Sequence, residues 1–259
     1  MSDRTLESSI ESIIAKIARY KDRSIGEQNT KSSLIEPILE SLGWDIHDAD
    51  EVHHEFKPRA RDKPVDYALK LLRKPRLFVE AKGFGENLSD RKWISQVLGY
   101  AAVAGVEWCI LTDGDEIRFY NATAPVDADE KLFWRIRLSE TVPADAAKTL
   151  RLVSRANMEE NLLADLWAAH FIDRQVRDSL TTLIQSADSK LVALIQSKSK
   201  KLTTKEIAHS LRRLETKIEQ PAIVTELSST PTDSEVAEKW RQAGFKAAAT
   251  RKRNTAKRQ

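Results

Sequence analysis

At Val52 the hydrophobic pattern of the chain changes period. Upstream, Leu6, Ile10, Ile13, Ile14 and Ile17, and then Leu34, Ile35, Ile38, Leu39 and Leu42, recur at the spacing of helices with one apolar face. Downstream come short runs of period two, at about 51–57, 65–72 and 76–81, with Arg73-Lys74-Pro75 as the expected turn between the last two. Two amphipathic helices, at about 4–20 and 30–42, therefore open the fold, and an antiparallel meander follows. Gly43 ends the second helix. Pro37 interrupts it, and a proline in a regular helix interior costs about 3 kcal/mol, so a kink at Pro37 or a start just before it is expected.

The pattern then predicts a helix capped at Ser89 and running to about 104. A buried strand at 106–112, a turn at Asp113-Gly114-Asp115 and strands at 116–121 and 132–138 complete this part. The order gives an α/β chain with a mixed, α+β type of sheet. Beyond Pro143 the spacing is helical: Leu162, Leu163, Leu166 and Trp167, then Phe171, Ile172, Val176 and Leu180, supply apolar faces. Thr204-Lys205-Glu206-Ile207 reads as a helix start, and Ser228-Ser229-Thr230-Pro231-Thr232 as a linker before a short last helix. The expected organisation is a core domain over 1–142, a helical region over 143–220, and a partly disordered linker, helix and basic tail over 221–259.

Composition narrows the class of protein. The chain has 259 residues, 41% of them apolar and 31% charged, enough for one buried core of roughly 150 residues plus a helical appendage. Its single cysteine, Cys109, forms no intrachain disulfide and supports no cysteine-based zinc site, which fits a reducing, cytoplasmic setting. No segment has the apolar length of a membrane span or signal core. The net charge of +3 is small, but residues 246–259 hold six lysines and arginines and no acid, a cluster that attracts polyanions.

The chemistry lies in the second and third period-two runs. Val65, Tyr67, Leu69 and Leu71 share one face, so Asp66 points to the other; Phe78, Glu80 and Lys82 share a face, with Glu80 and Lys82 about 7 Å apart. If Asp66 and Glu80 meet across the hairpin, two carboxylates converge. Such a pair repels unless a cation intervenes, and hard oxygen donors, with the Ala81 carbonyl as a third, suit Mg²⁺, with Mn²⁺ as a substitute. A metal there stabilises charge on a phosphodiester, and Lys82 can orient water or neutralise developing charge. The next helix aligns Lys92, Gln96 and Tyr100 in a polar stripe opposite Trp93, Val97, Ala101 and Ala104. Glu36, an acid among apolar neighbours on the early helix, is a further candidate.

Pro64-Val65-Asp66, Val79-Glu80-Ala81-Lys82 and Gln96-Val97-Leu98-Gly99-Tyr100 together resemble the motifs of the PD-(D/E)XK nuclease superfamily. Ile35-Glu36-Pro37-Ile38-Leu39, Leu42-Gly43-Trp44 and Thr112-Asp113-Gly114 extend the likeness to the N-terminal nuclease domain of type I restriction enzyme R subunits, over residues 28–138. The resemblance implies a restriction-endonuclease-like core followed by a C-terminal helical region, and Mg²⁺-dependent DNA cleavage. It makes Asp66 and Glu80 metal ligands, Lys82 the catalytic lysine, Gln96 and Tyr100 an accessory motif, and Glu36 the early helical acid. DNA is the implied partner, beside restriction-modification or defence subunits. None of the eight glycines begins the Gly-x-x-x-x-Gly-Lys-Ser/Thr loop of a helicase motor. Cutting both strands calls for two sites, so a homodimer is one expected assembly. The rival readings are a catalytically inactive DNA-binding module and a protein-interaction module on the same fold.

Overall fold

The computed structural model describes residues 3–214; the linker and helix expected after 220 and the basic run 246–259 lie outside them. Helix α1 spans Asp3–Tyr20 and buries Leu6, Ile10, Ile13 and Ile17, as their spacing predicts. The second helical stretch begins earlier than expected and passes through Pro37. α2 (Gly26–Thr30) runs into a π-helical turn (Lys31–Ile35) and on into α3 (Glu36–Ser41). Pro37 has no amide hydrogen, so the Ser33 carbonyl loses the donor that a regular helix would supply four residues on. The wider turn absorbs the mismatch, and Lys16 Nζ of α1 donates to Ser33 O at 3.0 Å.

Six strands form one mixed sheet in chain order: β1 (Val52–Phe56), β2 (Val65–Leu71), β3 (Lys74–Ala81), β4 (Trp108–Thr112), β5 (Glu116–Asn121) and β6 (Leu132–Arg137). β3 and β4 pair in parallel, with α4 (Arg91–Ala104) as the crossover between them; the other neighbours are antiparallel. The β2–β3 turn falls on Leu72 and Arg73, one residue before the expected place. Both have positive φ, +50° and +64°, the backbone hand that matches the twist of a two-residue hairpin. Pro75 is thereby drawn into β3 opposite Lys70, next to an irregularity in the pairing. The cap of α4 is Asp90, whose carboxylate accepts from Lys92 N at 3.0 Å; Ser89 instead accepts from Arg118 Nη2.

Ala68, Phe78, Cys109 and Tyr120 stand in one row across β2–β5, and α4 lays Val97, Leu98 and Ala101 against that face. The neighbouring row, Tyr67, Val79, Ile110 and Phe119, points to the other face, where the Tyr67 hydroxyl donates to Glu36 of α3 at 3.0 Å. Full burial of a side chain such as Phe78 contributes about 1.5–3 kcal/mol, so these two rows anchor the sheet between its helices.

The chain divides into two compact units, Met1–Ala164 and a second beginning at Asp165, rather than at 142. The helices α5 (Pro143–Arg151) and α6 (Arg155–Glu160) belong to the first unit. The reason is local: the buried indole of Trp44 needs an acceptor and finds the Val153 carbonyl at 2.9 Å, while Arg155 N donates to Leu42 O. The second unit continues from the first turn of α7 (Leu162–Gln185) into α8 (Ser189–Lys198) and α9 (Thr204–Arg213). α8 and α9 share a small core of Val192, Ile207 and Leu211. Among the described residues no helix is long and apolar enough to cross a membrane.

Gly114, in the β4–β5 turn, ties the sheet to the early helices. Its φ is +88°, and a Cβ there would lie 2.8 Å from two side-chain atoms of Leu34. Gly114→Ala is expected to cost about 2–4 kcal/mol, from backbone strain and overpacking together, in a denaturant titration. A loss below about 0.5 kcal/mol would show that the turn does not bear on Leu34.

Candidate active site

The register that sets Tyr67 opposite Val79 carries Asp66 opposite Glu80, and both project from the ends of their strands. Glu80 is buried. Its Oε1 accepts from Lys82 Nζ at 2.7 Å and from Gln96 Nε2 of α4 at 2.5 Å, while its Oε2 is buried without a hydrogen-bond partner. Asp66 Oδ2 accepts the Ala81 amide at 2.7 Å, and Oδ1 pairs with Lys31 Nζ at 2.5 Å. Lys31 also reaches Glu27 Oε1 at 2.8 Å. Each of the two central carboxylates thus has its own ammonium group.

The backbone around Lys82 is held on several sides. Lys82 N donates to Thr112 O at 2.8 Å, and in the loop that follows, Phe84 N donates to Thr30 Oγ1 and Gly85 N to Asp113 Oδ2. Asp113 Oδ1 accepts the amides of Asp115 and Glu116, which sets the β4–β5 turn. The Lys82 side chain is buried, with its Nζ 4.4 Å from the centroid of the Trp93 ring; Lys92 Nζ lies 4.3 Å from the same centroid. A lysine placed against an aromatic ring and a carboxylate has little freedom left to wander.

The electrostatics follow from burial. Desolvation, and then the charge of Asp66, push the Glu80 carboxyl up to about 7, against the opposing pull of Lys82. Burial and the charge of Glu80 raise the Tyr100 hydroxyl, which puts this side chain within the field of the acids. Burial alone would lower the Lys31 ammonium, but its bonds to Asp66 and Glu27 outweigh that and raise it.

The structure brings Asp66, Glu80, Lys82 and Gln96 together, with the main chain of Ala81 beside Asp66. It does not bring Glu36 into that group: its carboxylate receives the Tyr67 hydroxyl on the other face of the sheet. Among the described residues no three His, Cys, Asp or Glu side chains converge to hold a metal by themselves. His53 and His54 diverge, His53 edge-on to Phe56 and His54 against Tyr67, as strand alternation requires. Lys31, Glu27 and Thr30 are neighbours of the site that periodicity does not mark, and Lys31 and Glu27 share only the i, i+4 spacing of an ordinary surface pair; Trp93, which its spacing set opposite the polar stripe, meets Lys82. No protein-family model, no curated protein and no solved structure matches the chain.

The pH dependence of stability tests this environment. With Glu80 raised from 4.5 to about 7, the folded protein keeps a proton that the unfolded chain has released. Its contribution is therefore full below about 4.5 and is lost as pH rises through about 7. In EDTA, the wild type is expected to lose on the order of 2 kcal/mol between pH 5 and 7.5 relative to Glu80→Gln, measured by chemical denaturation. Parallel curves for the two proteins would refute the buried-acid account.

Proposed function

We propose that the chain is a divalent-metal-dependent DNA endonuclease with a PD-(D/E)XK-type core. The observation that carries this reading is the convergence of Asp66 and Glu80 from adjacent strands, with Lys82 and Gln96 bonded to one oxygen of Glu80 and the other left buried and unpartnered. Two carboxylates and a main-chain carbonyl suit Mg²⁺, which keeps waters and takes phosphate oxygens, so the donors present fit this ion. Asp66 and Glu80, with Ala81, would hold it. Bound there, Mg²⁺ would supply positive charge to a phosphodiester oxygen and acidify a water.

The remaining work falls to the chain's own groups. The Ala81 amide fixes the Asp66 carboxylate, and Gln96 fixes Glu80 Oε1 so that Oε2 stays available. Lys82 holds a proton at Nζ beside Glu80, where it can offset charge that develops on a phosphate oxygen. The loop entering β2 supports a polyanionic substrate. Lys57, Arg59, Arg61 and Lys63 are exposed, and none makes an ion pair with a described residue. Such cations neutralise phosphates and release counterions. Cleavage of both strands then calls for a second copy or for partner subunits of a restriction-modification or defence assembly.

A binding-only reading draws on the Lys31–Asp66 ion pair, which neutralises that carboxylate from within the chain. Incubation with circular and linear DNA in Mg²⁺ or Mn²⁺ separates the two. The nuclease reading predicts metal-dependent opening of circles, reduced at least about 100-fold by Asp66→Ala and by Lys82→Ala. Bound but uncut DNA under every metal, with affinity unaffected by Asp66→Ala, would establish the binding-only reading instead.

A further inference from the structure

The second unit carries a surface that the acid site does not use. Over residues 198–213, Lys198, Lys200, Lys201, Lys205, Arg212 and Arg213 stand against a single acid, Glu206. All six basic side chains are exposed, and none forms an ion pair or hydrogen bond with a described residue. Glu206 makes no ion pair with them: its carboxylate accepts both the amide and the hydroxyl of Thr203 in the cap of α9, and its one charge leaves the segment strongly basic. Other helices behave differently: Lys148 pairs with Asp145, Arg155 with Glu159 and Arg174 with Asp178, each one turn apart.

The cations are also ordered. On α9, Lys205, Arg212 and Arg213 follow one another at i, i+7 and i+8, which places them along one side of the helix. Ile207 and Leu211 take the other side, buried with Val192 of α8. The outward side of α9 therefore carries three cations along about 12 Å, with Glu206 the single anion in its first turn, and Lys198 at the end of α8 with Lys200 and Lys201 in the connection add to them. Spacings of this order are comparable to the screening length of about 8 Å at physiological salt, so the mutual repulsion is only partly damped. A linear polyanion relieves it.

We propose that the outward face of α9 and the connection before it bind the phosphodiester backbone of a nucleic acid. A membrane-surface helix pairs a basic face with an apolar face free to enter lipid, whereas the apolar face of α9 is already spent on α8. Binding would be independent of sequence, since phosphate contacts carry none of the sequence information that base edges do. This surface would give the chain a means of holding DNA that does not depend on Asp66 or Glu80.

The test uses the full chain in EDTA, with duplex DNA of about 30 base pairs followed by fluorescence anisotropy from 50 to 300 mM KCl. Replacing Lys198, Lys200, Lys201 and Lys205 together by Gln is expected to lower the slope of log affinity against log salt by about 3–4, at roughly 0.9 for each phosphate contact. Affinity at 100 mM salt should fall at least tenfold. Replacing the same four by Arg should preserve slope and affinity, with circular dichroism confirming the fold of both variants. An unchanged slope in the Gln variant, equal loss in the Arg variant, or a loss seen with phosphatidylserine vesicles but not with DNA would overturn the proposal. Cutting is not read in this assay, so its outcome stands apart from that of the Asp66 and Lys82 variants.

Discussion

Two carboxylates taken out of water side by side repel each other, and the first unit is organised around tolerating that repulsion at Asp66 and Glu80. Burial first, and then the charge of Asp66, push the Glu80 carboxyl up to about 7. The hairpin register imposes the encounter, because Tyr67 opposite Val79 leaves Asp66 nowhere to go but opposite Glu80. Lys31 and Lys82 offset it, one ammonium for each acid, and the Ala81 amide and Gln96 take up further lone pairs. What remains unsatisfied is one buried oxygen, Glu80 Oε2. A fold that brings acids together at such a cost has reason to do so where a cation is to be held, which is the basis of the proposed chemistry.

The surrounding framework explains why these groups stay in place. The π-helical turn that Pro37 makes necessary begins at Lys31, so the same departure from regular helix that accommodates a proline sets the residue that meets Asp66. Thr30, one residue earlier, is fully buried and accepts the Phe84 amide, which links this turn to the loop after Lys82. Asp113 holds the other side of that loop through Gly85. Helices, β3 and the β4–β5 turn therefore converge on a few residues of backbone around Lys82, and a change in any one of them is felt at the site.

Much of this could be read from the residues in order. Period two fixed which side of β2 and β3 each acid takes, and the i, i+4 stripe placed Gln96 over the sheet. Asp-Gly marked the turn before β5, and Thr204-Lys205-Glu206-Ile207 the start of α9, whose cap is Thr203. Other features escaped because they depend on tertiary contacts. The Trp44 indole reaches across 109 positions to Val153, so α5 and α6 fold with the first unit although their pattern alone suggests a separate layer. Glu36 looked like a site acid, but Tyr67 claims it from the other face. Nothing in the sequence singles out Lys31, since its partner Asp66 lies on a strand that no helical spacing can reveal.

Titration of the protein with Mn²⁺ by calorimetry, for the wild type and for Asp66→Asn and Glu80→Gln, tests the central claim most directly. If the two carboxylates form one cation site, the wild type binds Mn²⁺ and each substitution weakens that binding at least tenfold while leaving the fold intact. Binding that neither substitution alters, or no binding by the wild type at all, would contradict it.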